Sequence, residues 1–138
     1  MTFLDNYHEL SFYTLALKDA DFIHQHIVDA FAAQTAAEKT KDITLFFSLA
    51  GLYLFIEKKH TGKQVQQAHQ LMATKTKEFV KINLPPERGV ITVNDVLEAP
   101  AGLKRNEMIK QWCQAVWAAY ASEHNKVIKM TEQLLSKQ

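Results

Sequence analysis

A chain of 138 residues is about one domain's worth and can bury a core without disulfides or a structural metal. Its 47% hydrophobic and 22% charged residues exclude wholesale disorder, and a net charge of +1 leaves no electrostatic footprint for nucleic acid. Pro85, Pro86, Pro100, Gly89 and Gly102 fall between positions 85 and 102, so the remaining chain is expected to run in long helices.

In chain order, residues 3–16 place Leu4, Tyr7, Leu10, Ser11 and Leu15 near one face of a first helix. Asp19 or Asp21 can cap a second helix reaching about Ala36, with Ile23, Ile27, Ala30, Phe31 and Gln34 on one side. A third helix, about 41–59, carries the apolar run from Ile43 to Ile56. That run rises about 21 Å, short of a bilayer core of about 30 Å, so it reads as a helix buried on most sides and no membrane partner is expected. Thr61-Gly-Lys-Gln64 is a capping box that opens a fourth helix to about Phe79, with Val65, Ala68, Leu71, Met72 and Phe79 as its stripe. The segment 83–102 is a crossover holding one short helix, 93–98, capped by Thr92 and Asp95, with Val90 and Ile91 extended before it. From Leu103 the pattern is helical to the end. Trp112, Val116, Trp117, Tyr120, Val127, Ile128, Met130, Leu134 and Leu135 share an arc of about 160°. This stretch is either one rod of roughly 50 Å or breaks near Ser122 or Asn125. The expected fold is all-α: one domain over 1–138, a bundle of four to five main helices with one Pro/Gly-rich crossover.

One cysteine, Cys113, permits no disulfide within the chain, and the first residues lack the basic and apolar regions of a signal peptide. A cytoplasmic protein is expected.

Three stretches carry a resemblance. His24-Gln-His-Ile-Val-Asp-Ala-Phe-Ala-Ala-Gln34 fits H-x-x-x-V-D-A-[YF]-x-x-Q. Arg88-Gly-Val-Ile-Thr-Val-Asn-Asp-Val-Leu97 fits R-G-x-[IL]-T-V-x-D-V-L. Trp112-Cys-Gln-Ala-Val-Trp-Ala-Ala-Tyr120 fits W-x-x-x-V-W-x-A-[WY]. Together with Gly51-Leu-Tyr-Leu, they make the sequence similar to an uncharacterised bacterial family of all-helical domains, from about Tyr13 to Lys126. The family has no established activity. The resemblance implies an interior site lined by His24, Asp29, Gln34 and His124. Some members carry histidine where this chain has Ser48 and Glu123.

His124 sits at about 120° from Trp112 on a continuous helix, between Tyr120 and Ile128, inside the apolar arc. It is either a ligand or proton-transfer group facing the bundle centre or a core histidine satisfied by its neighbours. His24 and His26 point about 160° apart and cannot chelate one metal from a regular helix. His24 borders the buried side and His26 the outer side, where His26 and Asp29 form either half a metal site or a solvated hydrogen bond. Gln34 lies on the apolar stripe, as a clasp onto the crossover backbone or as a pocket wall, the clasp being favoured. Arg88 can bind an anion with its fork of donors, or pin the loop to Asp95 or Glu98. Cys113 reads as a buried, inert thiol. Lys58–Lys63 lacks the upstream glycine of a phosphate loop.

Two functions stay open. The first is binding of a small molecule or a divalent metal at an interior polar site near His24 and His124, with Asp29, Gln34 and Arg88 as further ligand-binding candidates. Its metal candidates are His24, His26, Asp29 and His124, and no reaction is readable from the spacing. The second is a protein-interaction or regulatory module whose histidines are structural and which has no catalytic activity. A homodimer formed over the long terminal helix suits either.

Overall fold

Thr2 and Asp5 exchange hydrogen bonds of 3.1 Å, a capping box that opens α1 (Phe3–Ala16) in a computed structural model that describes residues 2–136. After a turn at 19–22, the Asp19 carboxylate accepts from Ile23 N–H at 2.9 Å and leads into α2 (His24–Gln34). The apolar run forms α3 (Asp42–Ile56), and the Thr61/Gln64 capping box opens α4 (Gly62–Lys75). An extended crossover leads to α5 (Val93–Glu98), opened by the Thr92/Asp95 box. Next come α6 (Leu103–Ala119), a 3₁₀ turn (Ala121–Glu123) and α7 (His124–Leu135). The described residues contain no strand, so the fold is an all-α bundle.

Nine of the ten residues from Leu45 to Leu54 are buried, and only Phe47 is partly exposed. A helix without a polar face must be covered on every side. Here α2, α4, α6 and α7 surround α3. Its closest neighbour is α2, along a seam of small residues: Ala30, Ala33 and Ala50 are fully buried, and a Cβ at Gly51 would lie 2.0 Å from Asp29 Oδ2.

The crossover is clasped to α2 in both directions. Gln34 Nε2 donates to the carbonyls of Arg88 (3.2 Å) and Ile91 (2.7 Å), and Gln34 Oε1 accepts from Trp112 Nε1 at 2.9 Å. Arg88 returns the contact, its guanidinium donating to the carbonyls of Ala36 (2.8 Å), Gln34 (3.4 Å) and Pro85 (2.7 Å). The favoured clasp of Gln34 is therefore what the fold contains. The expected pairing of Arg88 with Asp95 or Glu98 is not. The carbonyls of Gln34 and Ala36, at and just past the end of α2, lack intrahelical donors and take the guanidinium, while Asp95 accepts from Thr92 N–H at 2.8 Å.

Other sequence expectations shift. The inner face of α1 is Asn6, Leu10 and Thr14, whereas Leu4 and Leu15 are each 52% exposed. Hydrogen bonds set that face: Asn6 donates to Asn94, Thr14 pairs with His24, and Tyr13 donates to Asn106. Helix α4 stops at Lys75, because Thr76 is extended and its hydroxyl accepts from Glu78 N–H at 3.0 Å. Phe79 consequently packs on Phe46 and Phe47 from the crossover. The terminal rod breaks around Ser122. Tyr120 leaves the helix with its hydroxyl on Ala33 O (2.6 Å), and buried Glu123 accepts from Asn83 N–H (2.7 Å) and Lys126 Nζ (2.8 Å).

Replacing Gln34 with Leu orphans Trp112 Nε1 and two crossover carbonyls. Urea unfolding of Gln34→Leu is expected to show a loss of about 2–4 kcal/mol. A loss below about 0.5 kcal/mol would show that the clasp does not hold the crossover.

Candidate functional site

Two turns interlock at one corner of the bundle. Lys63 N–H donates to Asp21 O at 2.9 Å, and a Cβ at Gly62 would lie 1.8 Å from Phe22 O, so the first turn of α4 presses directly on the 19–22 turn. Lys18, Phe22 and Lys59 are the non-glycine residues in left-handed conformation among those described, with φ of 49°, 55° and 58°. Each costs energy that the surrounding structure must hold, and such outliers gather at ligand clamps and active sites.

Between these turns, the end of α3 and the start of α6 lies a cleft of about 370 Å³. Ile23 and Phe55 supply its apolar wall. Asp19, Asp21, Lys59, His60, Thr61 and Asn106 supply its polar rim. His26 forms its inner end. The imidazole is 4% exposed, stacks on the Phe55 ring at 3.5 Å and 9°, and leaves Nδ1 without a hydrogen-bond partner. Burial holds its pKa down to about 4, against the pull of the Asp19 charge. At neutral pH it is therefore an uncharged ring, with one donor and one acceptor nitrogen, beside two carboxylates.

Of the sequence candidates, His26 is buried and His24 only partly so, the reverse of the expected sides. Bulky Ile27 and Phe31 weight the apolar stripe of α2 toward one side. The helix instead packs closest where its residues are smallest, at Ala30 and Ala33, which turns His26 and Asp29 inward. His24 pairs through Nδ1 with Thr14 Oγ1 at 2.9 Å. His124 stacks on Trp117 at 3.7 Å, and its Nε2–H donates to Trp117 O at 2.7 Å, a carbonyl near the α6 terminus. The break at Tyr120 cancels the continuous-helix angle that placed His124 in the arc. Neither His24 nor His124 lines the cleft, and Gln34 and Arg88 meet each other in the clasp instead. Among the described residues no group of three or more His, Cys, Asp or Glu is placed to hold a metal ion. Cys113 is buried, with its thiol 3.5 Å from His26 O, and burial pushes its pKa well up.

Asp29 is buried against Gly51. Gln25 Nε2 donates to one carboxyl oxygen at 3.2 Å, and the other has no partner. Desolvation raises its pKa well above the ordinary range, against the lowering effect of Gln25. It also edges a shallow groove with Ser48 and His69, whose Nε2–H donates to Phe47 O at 2.8 Å.

Sequence reasoning passed over Phe55, Lys59, His60, Thr61 and Asn106 as site residues, and His69 altogether. His69 was within reach, because it follows Val65 by four and shares the face of Val65 and Met72. The cleft was less accessible. Its halves lie about forty residues apart, and each half is explained locally, Asp19 as a cap and Lys58–Lys63 as a basic patch.

The chain belongs to a family of unknown function (DUF5946), whose model matches residues 4–121. No curated protein and no solved structure matches it. All residues of the cleft fall within the matched span.

Folded Asp29 keeps a proton that the unfolded chain releases near pH 4. The folded state then binds more protons, so stability from this group declines as pH rises through the carboxylate range. Asp29→Asn removes that decline. In thermal melts the variant is expected to match the wild type near pH 4 and to exceed it by about 3–6 °C at pH 8. A variant less stable than the wild type at pH 8 would mean that Asp29 is ionised and paired.

Proposed function

We propose that this protein binds a small polar molecule bearing hydrogen-bond donors, of the amine or amino-alcohol class, in the His26 cleft. The observation that carries this is the His26 imidazole, neutral and nearly buried at the inner end of a cleft, with Nδ1 enclosed and Nε2 holding no hydrogen bond to a described protein group. A ring nitrogen without a protein partner at the end of a cleft is a place for a ligand to bond. The rim adds a preference of sign. Asp19 and Asp21 contribute two negative charges and Lys59 one positive, so with neutral histidines the walls sum to −1. The volume suits a small ligand, and Phe55 and Ile23 cover its apolar part.

His24, His69 and His124 each have a hydrogen-bond partner, which supports structural roles for those three. That agrees with the alternative in which the chain acts through its surface. His26 is the buried histidine that this alternative leaves without a hydrogen-bonding role.

The test is thermal-shift titration with ethanolamine and putrescine, using acetate as anionic control. The amines are expected to raise Tm and acetate is not. His26→Phe keeps the stack on Phe55 while removing the nitrogens, so it is expected to fold with stability within about 1 kcal/mol of the wild type and to lose the amine response. Asp19→Asn with Asp21→Asn should weaken the response about ten-fold, since a charged partner contributes roughly 1.5–3 kcal/mol. An undiminished response in His26→Phe, or a response to acetate alone, would overturn the proposal.

A further inference from the structure

Asn106 lines the cleft from the first turn of α6, and a chain of hydrogen bonds fixes which end of its amide is free. Gly102 N–H donates to Tyr13 Oη at 3.0 Å, and Tyr13 Oη lies 3.0 Å from Asn106 Oδ1. A phenol has one proton to give, and a backbone N–H cannot accept it. The proton therefore goes to Asn106, and the atom that receives it is the amide oxygen. With the amide reversed, Tyr13 would meet two donors and its own proton would have no acceptor in this chain of bonds. The phenol is held in turn. The Arg105 guanidinium lies 4.6 Å from its ring centroid while donating to the carbonyls of Leu97 (2.9 Å) and Ala99 (3.0 Å). The other end of the Asn106 amide, Nδ2, forms no hydrogen bond to a described protein group, and Asn106 is only partly buried. The wall of the cleft thus carries a neutral donor whose orientation is set before any ligand arrives.

We propose that Asn106 Nδ2 reads an oxygen acceptor on the ligand, so that the amine held in the cleft also carries a hydroxyl or ether oxygen, with Tyr13 as the positioning residue. This rests on the reading of the His26 cleft given above and narrows its ligand class. The two kinds of polar group on the walls ask for different partners. Asp19 and Asp21 accept, and suit an ammonium. Asn106 offers N–H bonds, which an ammonium or a methylene leaves unpaired and an oxygen satisfies. Diamines, whose second pole is another donor, fit this wall less well than amino-alcohols or amino-ethers. The other donors of the rim are less fixed. Lys59 is exposed and forms no ion pair among the described residues, and Thr61 Oγ1 is engaged in capping α4, where it accepts from Gln64 N–H at 3.1 Å. An oriented donor pays less ordering cost on binding than a flexible one, so Asn106 is the group that discriminates.

Calorimetric titration with 2-methoxyethylamine and butylamine tests the proposal. The two amines match in length and charge and differ by one oxygen in place of one methylene, and an ether oxygen only accepts. The quantity read is the ratio of their affinities. Asn106→Asp keeps an acceptor for Tyr13 and puts a carboxylate oxygen where Nδ2 stood. Its added charge attracts both ammonium groups alike and cancels in the ratio. The preference for 2-methoxyethylamine is expected to fall at least ten-fold in Asn106→Asp, since a bond is lost and an oxygen then faces an oxygen. Tyr13→Phe releases the amide to turn either way, and is expected to lower the ratio about three-fold with butylamine affinity unchanged. A ratio that is the same in Asn106→Asp and the wild type, with both amines bound, overturns this proposal and leaves the cleft reading standing. A Tyr13→Phe protein that loses both amines equally overturns the positioning role. A wild type that binds neither amine overturns the cleft reading and this proposal together.

Discussion

Helices α2 and α3 approach so closely at Gly51 that one added methyl group would overlap the Asp29 carboxyl. Much else follows from that approach. The seam is lined by Ala30, Ala33, Ala50 and Gly51, which lets an almost wholly apolar α3 sit at the centre with four helices around it. It also draws two ionisable residues of α2 out of water. His26 is pressed on Phe55, and Asp29 is pressed on the α3 backbone at Gly51. Desolvation then acts on both in the direction of neutrality, lowering the imidazole pKa and raising the carboxyl pKa. The tight packing that stabilises the bundle thus perturbs both of these polar groups.

Polar groups elsewhere in the interior are handled differently. Gln34 uses both ends of its amide, and Arg88 reaches three carbonyls. Glu123 ties the start of the crossover to the turn before α7, its carboxyl held low by Lys126 and Asn83 against the raising effect of its own burial. These are satisfied networks, and satisfied networks fix a fold. Ser11 Oγ, His26 Nδ1, Asp29 Oδ2 and Thr131 Oγ1 lack partners. Of these four residues, His26 is the one that lines the cleft.

The sequence made the helices legible because its signals are local. The capping boxes at Thr61 and Thr92, the unbroken apolar run of α3 and the cluster of Pro and Gly each act within a few residues. The clasp by Gln34 was legible because an amide on an apolar face must find backbone partners. Other features required three-dimensional information. The break at Tyr120 is set by bonds to Ala33 and Asn83, far from it in the chain. The facing of His24 and His26 depends on which side of α2 offers the small residues for close approach, and a stripe weighted by bulk cannot report that. The outward face of α1 read as a core face because apolar periodicity does not tell which side of a helix meets the bundle, and here hydrogen bonds from Asn6, Tyr13 and Thr14 decide it. The cleft joins residues 19–26 to 55–61 and to Asn106, and no periodicity links those segments.

A strained turn pair, a neutral histidine and an acidic rim make one account of the cleft, and it turns on the protonation state of His26. Long-range ¹H–¹⁵N spectra of the imidazoles through a pH titration report that state directly, with the His26 signal assigned by its loss in His26→Phe. The account predicts that His26 remains a neutral ring well below the ordinary histidine range and titrates near pH 4. A midpoint at or above about 6.5 would contradict it, because His26 would then be a charged, paired residue and not an open acceptor at the end of the cleft.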